Sequence, residues 1–170
     1  MLTLSLFRHA KSSWEDASQE DFDRPLAPRG RKSAPAMAAF MKKRGLCPDL
    51  VLCSSSTRTR ETLALLADKI GKPPVQFVDA LYLASPETLL ACLHGVDGNP
   101  SHVMIVGHNP GLQEFASALI GSGNKADRAA LAAKLPTAAL VTMTFAARRW
   151  RDIKPGAGAL TGFMTPKRLP

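Results

Sequence analysis

Cysteine is scarce in this chain: Cys47, Cys53 and Cys92 are odd in number, far apart and without C-x-x-C spacing. That excludes a disulfide framework and a cysteine zinc site, and it fits a reducing compartment. Long apolar runs are missing too. The start, "MLTLSLFRHAK", carries no basic leader and no apolar stretch beyond about six residues, too short for a signal core or a membrane span. The expected location is cytoplasmic, with no membrane partner. Internal repeats, low-complexity tracts and long interior linkers are also absent, so residues 1–170 are expected to form a single domain. Acidic residues are in deficit, with 14 Asp and Glu against 22 Lys and Arg, a formal net charge of +8 and a pI of about 9.8. An acidic partner follows as an expectation, without a choice among nucleic acid, an anionic surface and a phosphorylated substrate. Much of the excess lies in "RRWRDIK" and "PKR", where the bland reading is a solvated basic face. What remains is ordinary for a globular protein: 45% hydrophobic and 21% charged residues.

Hydrophobic periodicity gives the order of elements. Residues 3–7 alternate apolar and polar as a first strand, followed by a polar loop, "AKSSWEDASQEDFDRPLAPRG". A helix then runs to Arg44 with Met37, Phe40 and Met41 on one stripe and Gly45 as its stop; Pro35 implies a start or a kink there. "DLVLC" (49–53) reads as the second strand. "TRTRETLALLADKIG" reads as a helix with Leu63, Leu66, Ala67 and Ile70 at i, i+3, i+4, i+7. "VQFV" (75–78) is a third strand, "PETLLACLHG" (86–95) a short helix, "HVMIVG" (102–107) a buried strand and "PGLQEFASALIG" (110–121) its helix. "ALVTMTFA" (139–146), "RWRDI" and "GALTGFMT" read as extra strands added at an edge, with an antiparallel course left open. The alternation predicts an α/β three-layer sandwich, a mostly parallel central sheet flanked by helices.

In such sheets ligands gather at the carboxyl ends of the strands. After the first strand comes Arg8-His9, after the second "SSSTRTR", after the fourth "GHNPG". Two arginines, two histidines and two helix N-termini thus converge on one rim, which suits an anion because guanidinium and helix amides both donate to phosphate oxygens. Each piece alone has a plain alternative. An Arg-His pair is often a surface feature, "SSSTR" an N-cap cluster, and "GHNPG" a turn with Pro110 at the first helical position. Their ordered co-occurrence carries the reading.

"FRHA", "SSSTRTRET" and "VGHNPGL", in that order and spacing, resemble the histidine phosphatase superfamily with its phosphoglycerate-mutase-like fold. "DFDRPLAPRG" and the "LY" at 81 and 82 resemble its small SixA-type branch of phosphohistidine phosphatases. The resemblance spans roughly residues 2 to 120. It implies His9 as the nucleophile that carries a phosphohistidine intermediate, Arg8 and Arg58 as grips on the phosphoryl oxygens, and His108 as a second donor to the transferring group. It also implies a reaction without metal or other cofactor, and the chain has no carboxylate cluster near these motifs of the kind that holds magnesium. The bottom-up chemistry agrees, since a neutral imidazole is a good nucleophile near pH 7 and phosphoryl transfer asks mainly for position and positive charge. Arg24 is either a further phosphate ligand or the ion-pair partner of Asp21 or Asp23. Ser12, Ser13 and Asn109 either donate to the same anion or cap loops. His94 and His102 fit no motif and read as structural, and Cys53 reads as a buried thiol.

One departure bears on substrate. Many members of the superfamily place a Glu after the third strand as general acid, whereas this chain reads "VDALYLASPE", with Asp79 at the strand end and Glu87 only at the next helix. Either another group donates the proton, with Asp21 the first candidate and Asp79 the second, or the leaving group needs little protonation. Phosphohistidine is such a substrate, because its leaving imidazole has a conjugate-acid pKa of about 6.5. The leading expectation is a phosphatase acting on phosphohistidine in a protein, with small phosphate esters as lesser substrates and no nucleic acid. The alternatives are a small-molecule phosphomonoesterase or mutase of the same superfamily, and an idle phosphate- or nucleic-acid-binding module.

Overall fold

The computed structural model describes all residues 1–170. Its centre is a seven-stranded sheet: β1 (Leu2–Arg8), β2 (Leu50–Ser54), β3 (Val75–Val78), β4 (His102–Gly107), β5 (Ile120–Gly123), β6 (Leu140–Phe145) and β7 (Gly158–Met164), in the order β3-β2-β4-β1-β6-β7-β5. The pairs β1/β4, β4/β2, β2/β3 and β5/β7 are parallel, while β6 runs antiparallel to both β1 and β7. Only β6 therefore opposes the common direction, as the predicted mostly parallel sheet requires.

Strand alternation sorts the core onto two faces. Leu4 and Leu6 of β1, Leu52 of β2 and Val103 and Ile105 of β4 point to one side. There they meet Leu89 and Leu93 of α3 (Pro86–His94) and Leu112, Phe115 and Leu119 of α4 (Gly111–Leu119). Phe7, Val51, Cys53, Met104 and Val106 point to the other side. They pack against Ala34, Met37, Ala38 and Met41 of α1 (Pro28–Lys43) and Leu63 and Leu66 of α2 (Thr57–Ala67). Both faces of the strands are buried, which is why they read as nearly continuous apolar runs. No helix is long and apolar enough to cross a membrane.

Helix ends follow local chemistry. α1 opens with Pro28 in its first turn and closes at Gly45, whose φ of +67° a side chain would resist. There the Leu46 amide reaches back to the Met41 carbonyl at 2.9 Å. The Ser56 side chain caps α2 by accepting from the Thr59 amide.

Four readings need correction. α1 begins at Pro28, inside the expected loop, and runs through Pro35 rather than starting there. α2 gives way after Ala67 to a hydrogen-bonded turn, although Ile70 is buried as its spacing implies. The helix after "GHNP" ends at Leu119, because residues 120–123 leave it to pair with β7. "RWRDI" is no strand: Trp150–Asp152 form a 3₁₀ turn, with Trp150 buried and its indole donating to the Pro100 carbonyl at 2.7 Å. A helix not expected from the sequence, α5 (Lys125–Ala133), is opened by the Asn124 side chain accepting from the Asp127 amide.

Candidate active site

Residues at and just beyond the carboxyl ends of β1 and β4, adjacent in the sheet, together with Arg58 from the helix after β2, line a cavity of about 410 Å³. Arg8 ends β1 opposite Gly107 of β4, and the next amide, His9, donates to the Gly107 carbonyl at 3.1 Å. His108 follows β4 directly, and Arg58 enters from the first turn of α2. The Ala10 amide donates to Thr62 Oγ1 of α2 at 3.0 Å, which ties the segment after His9 to that helix. The four motif residues Arg8, His9, Arg58 and His108 thus line one cavity.

His9 is buried, and its Nδ1 lies 2.7 Å from the Ala10 carbonyl oxygen. A carbonyl only accepts, so Nδ1 carries the proton and Nε2 keeps its lone pair. Arg58 Nε donates to that Nε2 at 3.3 Å. Burial drives the His9 pKa down to about 3, and the neighbouring Arg58, Arg8 and Arg24 charges push the same way against the Ala10 hydrogen bond. The ring is neutral at pH 7. His108, its ring centroid 5.3 Å from that of His9, is likewise lowered to about 3, first by burial and then by His9 and Arg58. Its Nε2 meets Ser54 Oγ at 2.8 Å, while its Nδ1 is buried without a hydrogen-bond partner. Arg8 donates through Nη1 to the Leu135 carbonyl at 3.0 Å, and its buried Nε is also without a partner.

The loop after β1 closes one side. Arg24, buried, donates to the Ser13 carbonyl, to Ser12 Oγ and, at 2.8 Å, to Asp21 Oδ1, and the Trp14 ring stacks on its guanidinium at 3.2 Å. Arg24 therefore both lines the cavity and holds the ion pair with Asp21. Asp21 also receives Arg58 Nη2 at 3.0 Å and the Tyr82 hydroxyl. The Tyr82 hydrogen bond, ahead of those from Arg24 and Arg58, takes the Asp21 pKa down to about 2. Burial and the Asp21 contact raise that of Tyr82.

Three expected candidates look different in place. Asp21, the expected general acid, is at the site, where hydrogen bonds from Tyr82, Arg24 and Arg58 favour its ionised form. Asp79 is exposed, accepts from the Ser55 hydroxyl and does not line the cavity. Asn109 lines the cavity, but its amide nitrogen donates to the Leu135 carbonyl at 3.0 Å and to Gln113, a positioning contact. Ser12 is at the site with its hydroxyl turned to Arg24. Trp14, Leu83, Lys11 and Thr137 line the cavity without having been expected there. His94 and His102 lie elsewhere, the first on the Ile153 carbonyl and the second on Ser5. No group of three or more His, Cys, Asp or Glu side chains converges anywhere.

Comparisons with known proteins agree with this geometry. Residues 4–82 match the model of the Histidine phosphatase superfamily (branch 1). A protein of Mycobacterium tuberculosis is 35% identical over 162 residues, covering 94% of this chain and 99% of the relative. Among solved structures, a chain from Agrobacterium tumefaciens assigned as the phosphohistidine phosphatase SixA is 29% identical, with a TM-score of 0.83 over 97% of this chain and 98% of that one. The protein histidine phosphatase SixA complexed with tungstate has a TM-score of 0.78 at 19% identity, over 99% of this chain and 100% of that one, a likeness of fold. These likenesses support a phosphatase with a phosphoglycerate-mutase-like fold. The motifs at the strand ends, the sequence match that begins in β1 and the full-length relatives lead to one conclusion: the chain belongs to the histidine phosphatase superfamily.

Proposed function

We propose that this chain removes the phosphoryl group from phosphohistidine in a protein, through a phosphohistidine intermediate on His9 and without a metal ion. The observation that carries the reading is the state of His9: a neutral ring in a cavity lined by Arg8, Arg24 and Arg58, its Nδ1 proton fixed on the Ala10 carbonyl and its Nε2 lone pair held only by Arg58 Nε at 3.3 Å, a donor that an incoming phosphoryl oxygen takes over. In the first step that lone pair attacks phosphorus as the bond from phosphorus to the substrate nitrogen breaks. The substrate ring enters protonated on its other nitrogen, so it keeps the electron pair of the broken bond and departs as neutral imidazole with no further proton needed. In the second step water attacks phosphorus, the bond to Nε2 breaks, and inorganic phosphate leaves with His9 restored.

The three arginines supply the positive charge that a metal ion would otherwise provide at the equatorial oxygens. The partnerless Arg8 Nε, and His108 Nδ1 if the Ser54 hydroxyl donates to Nε2, are donors without an acceptor in a buried setting. A phosphoryl oxygen reaching either one supplies its missing acceptor. Two further features favour a protein phosphoramidate. Asp21 is the one carboxyl group lining the cavity and it is ionised, so a poor alkoxide leaving group finds no protonated acid beside it. Of the large hydrophobic side chains exposed on the molecule, Trp14 and Leu83 line the mouth and Phe22 stacks on Tyr82 beside it, a rim suited to a protein surface.

The test is a side-by-side measurement of kcat/KM for a phosphohistidine protein, a phosphoserine peptide and small phosphate esters, with and without a chelator. A clear preference for phosphohistidine that chelation leaves intact supports the reading. Preference for a small ester, or activity that vanishes in chelator and returns with a divalent ion, overturns it.

A further inference from the structure

Beside the catalytic cavity, and sharing Arg8, Lys11 and Thr137 with it, lies a second open cavity of about 370 Å³. Its walls carry Arg8, Lys11, Arg29, Lys134 and Lys167, with no acidic residue and, apart from two prolines, no apolar side chain. The five cations come from four distant parts of the chain: the end of β1 and the loop behind it, the first turn of α1, the residue that closes α5, and the turn after β7. None of the five has an acidic partner. Arg168 pairs with Asp127, whereas its neighbour Lys167 faces the groove unpaired. Unpaired like charges gathered around one concavity repel one another, and that repulsion is relieved when an anion enters.

The local backbone keeps this arrangement in place. The Ala27 amide donates to the Lys11 carbonyl at 2.8 Å, and Ser12 bridges to Leu26, so the segment carrying Lys11 is clamped to the start of α1 beside Arg29. Arg8 stands between the two cavities, its Nη1 held by Leu135, next to Lys134, and its Nε buried without a partner. A groove without apolar walls gives no seat to a nucleobase or an acyl chain. It suits a hydrated phosphate or carboxylate held by several amines.

We infer that this groove is a second anion subsite, which holds a further phosphate or carboxylate of the substrate while its phosphoryl group lies between His9, Arg8 and Arg58. The inference rests on the function proposed above. For a protein substrate the second anion is an acidic side chain flanking the phosphohistidine; for a small molecule it is a second phosphate.

The experiment compares kcat/KM at low salt for two phosphohistidine peptides of equal length, one flanked by aspartates and one by asparagines, and for butane-1,4-diol bisphosphate against its monophosphate. p-Nitrophenyl phosphate, with a single anionic group, reports on the catalytic centre. The wild type is expected to favour the aspartate peptide by about tenfold, the scale of one charge-assisted contact. Lys134→Ala/Lys167→Ala should abolish that preference and keep p-nitrophenyl phosphate turnover within about threefold, with partial recovery in Lys134→Arg/Lys167→Arg. A preference for the bisphosphate alone supports the subsite and counts against a protein substrate. The subsite is overturned by equal rates on both members of each pair, by a preference that survives the double alanine variant, or by a proportional loss on p-nitrophenyl phosphate. If the wild type hydrolyses none of these compounds, the proposed function falls and calorimetric titration with inorganic tripolyphosphate judges the groove separately. Binding that the double variant loses supports the subsite, and binding that is absent or unchanged overturns it.

Discussion

Arg58 grips Asp21 with both terminal nitrogens, Nη1 on the backbone carbonyl at 2.7 Å and Nη2 on the carboxylate at 3.0 Å, while its Nε points to His9 Nε2. The same guanidinium therefore joins the proposed nucleophile to a carboxylate that occupies part of the arginine's donor set. An incoming phosphoryl group needs those donors. If Arg58 grips the phosphoryl group as proposed, the Asp21 carboxylate, held in place also by Arg24 and Tyr82, competes with the substrate.

Replacing that competitor should tighten anion binding. Asp21→Asn is expected to lower the KM for an aryl phosphate and the inhibition constant for orthophosphate by severalfold, with alkyl esters and phosphohistidine affected alike. Steady-state kinetics on the three substrates, with phosphate as inhibitor, is the check. A loss of about 10²- to 10⁴-fold confined to alkyl esters would instead mark Asp21 as a proton donor that gains its proton only in the complex.

The proposed nucleophile and its arginine differ in what their removal leaves behind. His9→Ala should abolish turnover and the acid-labile, base-stable phosphoenzyme expected after rapid quench. Arg58→Ala should still form that phosphoenzyme, with kcat lower by about a hundredfold or more, the scale of one lost transition-state contact. Near-normal activity in His9→Ala, or label recovered on serine or cysteine, would refute the mechanism.

The parallel half of the sheet and the motif residues after its strands were legible because both obey short-range rules. Buried strands are apolar runs, and side chains just beyond a strand's carboxyl end share a rim. The second half was less legible for an equally local reason. α5 is alanine-rich with Leu131 its one buried residue, so its apolar stripe is too thin to read, and Trp150 looks like a strand residue although it fills the core from a turn. At the site, Lys134 and Thr137 come from chain far beyond the motifs, and only the topology that sets β6 beside β1 brings them to Arg8. Asp21 was placed correctly by its closeness to Arg24. Its ionisation depends on Tyr82 and Arg58, long-range partners that no spacing reveals.

The two site imidazoles should couple stability to pH. His9 and His108 have folded pKa values of about 3, against about 6.5 for an unfolded chain. Between these limits the unfolded chain binds protons that the folded one refuses, so their contribution is full above about pH 6.5 and is lost as pH falls toward 3. His102, lowered by burial, adds to the same slope, while Asp21 titrates below it. His108→Gln should therefore show a smaller drop in Tm from pH 7 to pH 4.5 than the wild type. The His9 and His108 ring resonances should stay unshifted from pH 8 to pH 5. Ring titration near 6.5 would show that these residues are hydrated in solution.

The last prediction separates helix propensity from steric fit at Gly30. In the first turns of α1, alanine is intrinsically better than glycine by about 1 kcal/mol, so an isolated-helix argument expects Gly30→Ala to stabilise. In place, a Cβ on Gly30 would stand 2.3 Å from the Lys11 carbonyl oxygen and 2.9 Å from its amide nitrogen, both backbone atoms that cannot swing aside. Relief requires moving the segment that runs from His9 to Ser12, and with it the groove wall at Lys11 and the Ser12 contact of Arg24. Gly30→Ala should thus lose stability by about 1–3 kcal/mol, as overpacking does, and raise KM for any phosphate substrate. Gly95→Ala serves as the control, because its Cβ would meet nothing nearer than 3.6 Å, at the exposed end of α3. Chemical denaturation of both variants, with KM on an aryl phosphate, decides the matter. If Gly30→Ala is as stable as the wild type with an unchanged KM, α1 does not clamp the Lys11 segment as described.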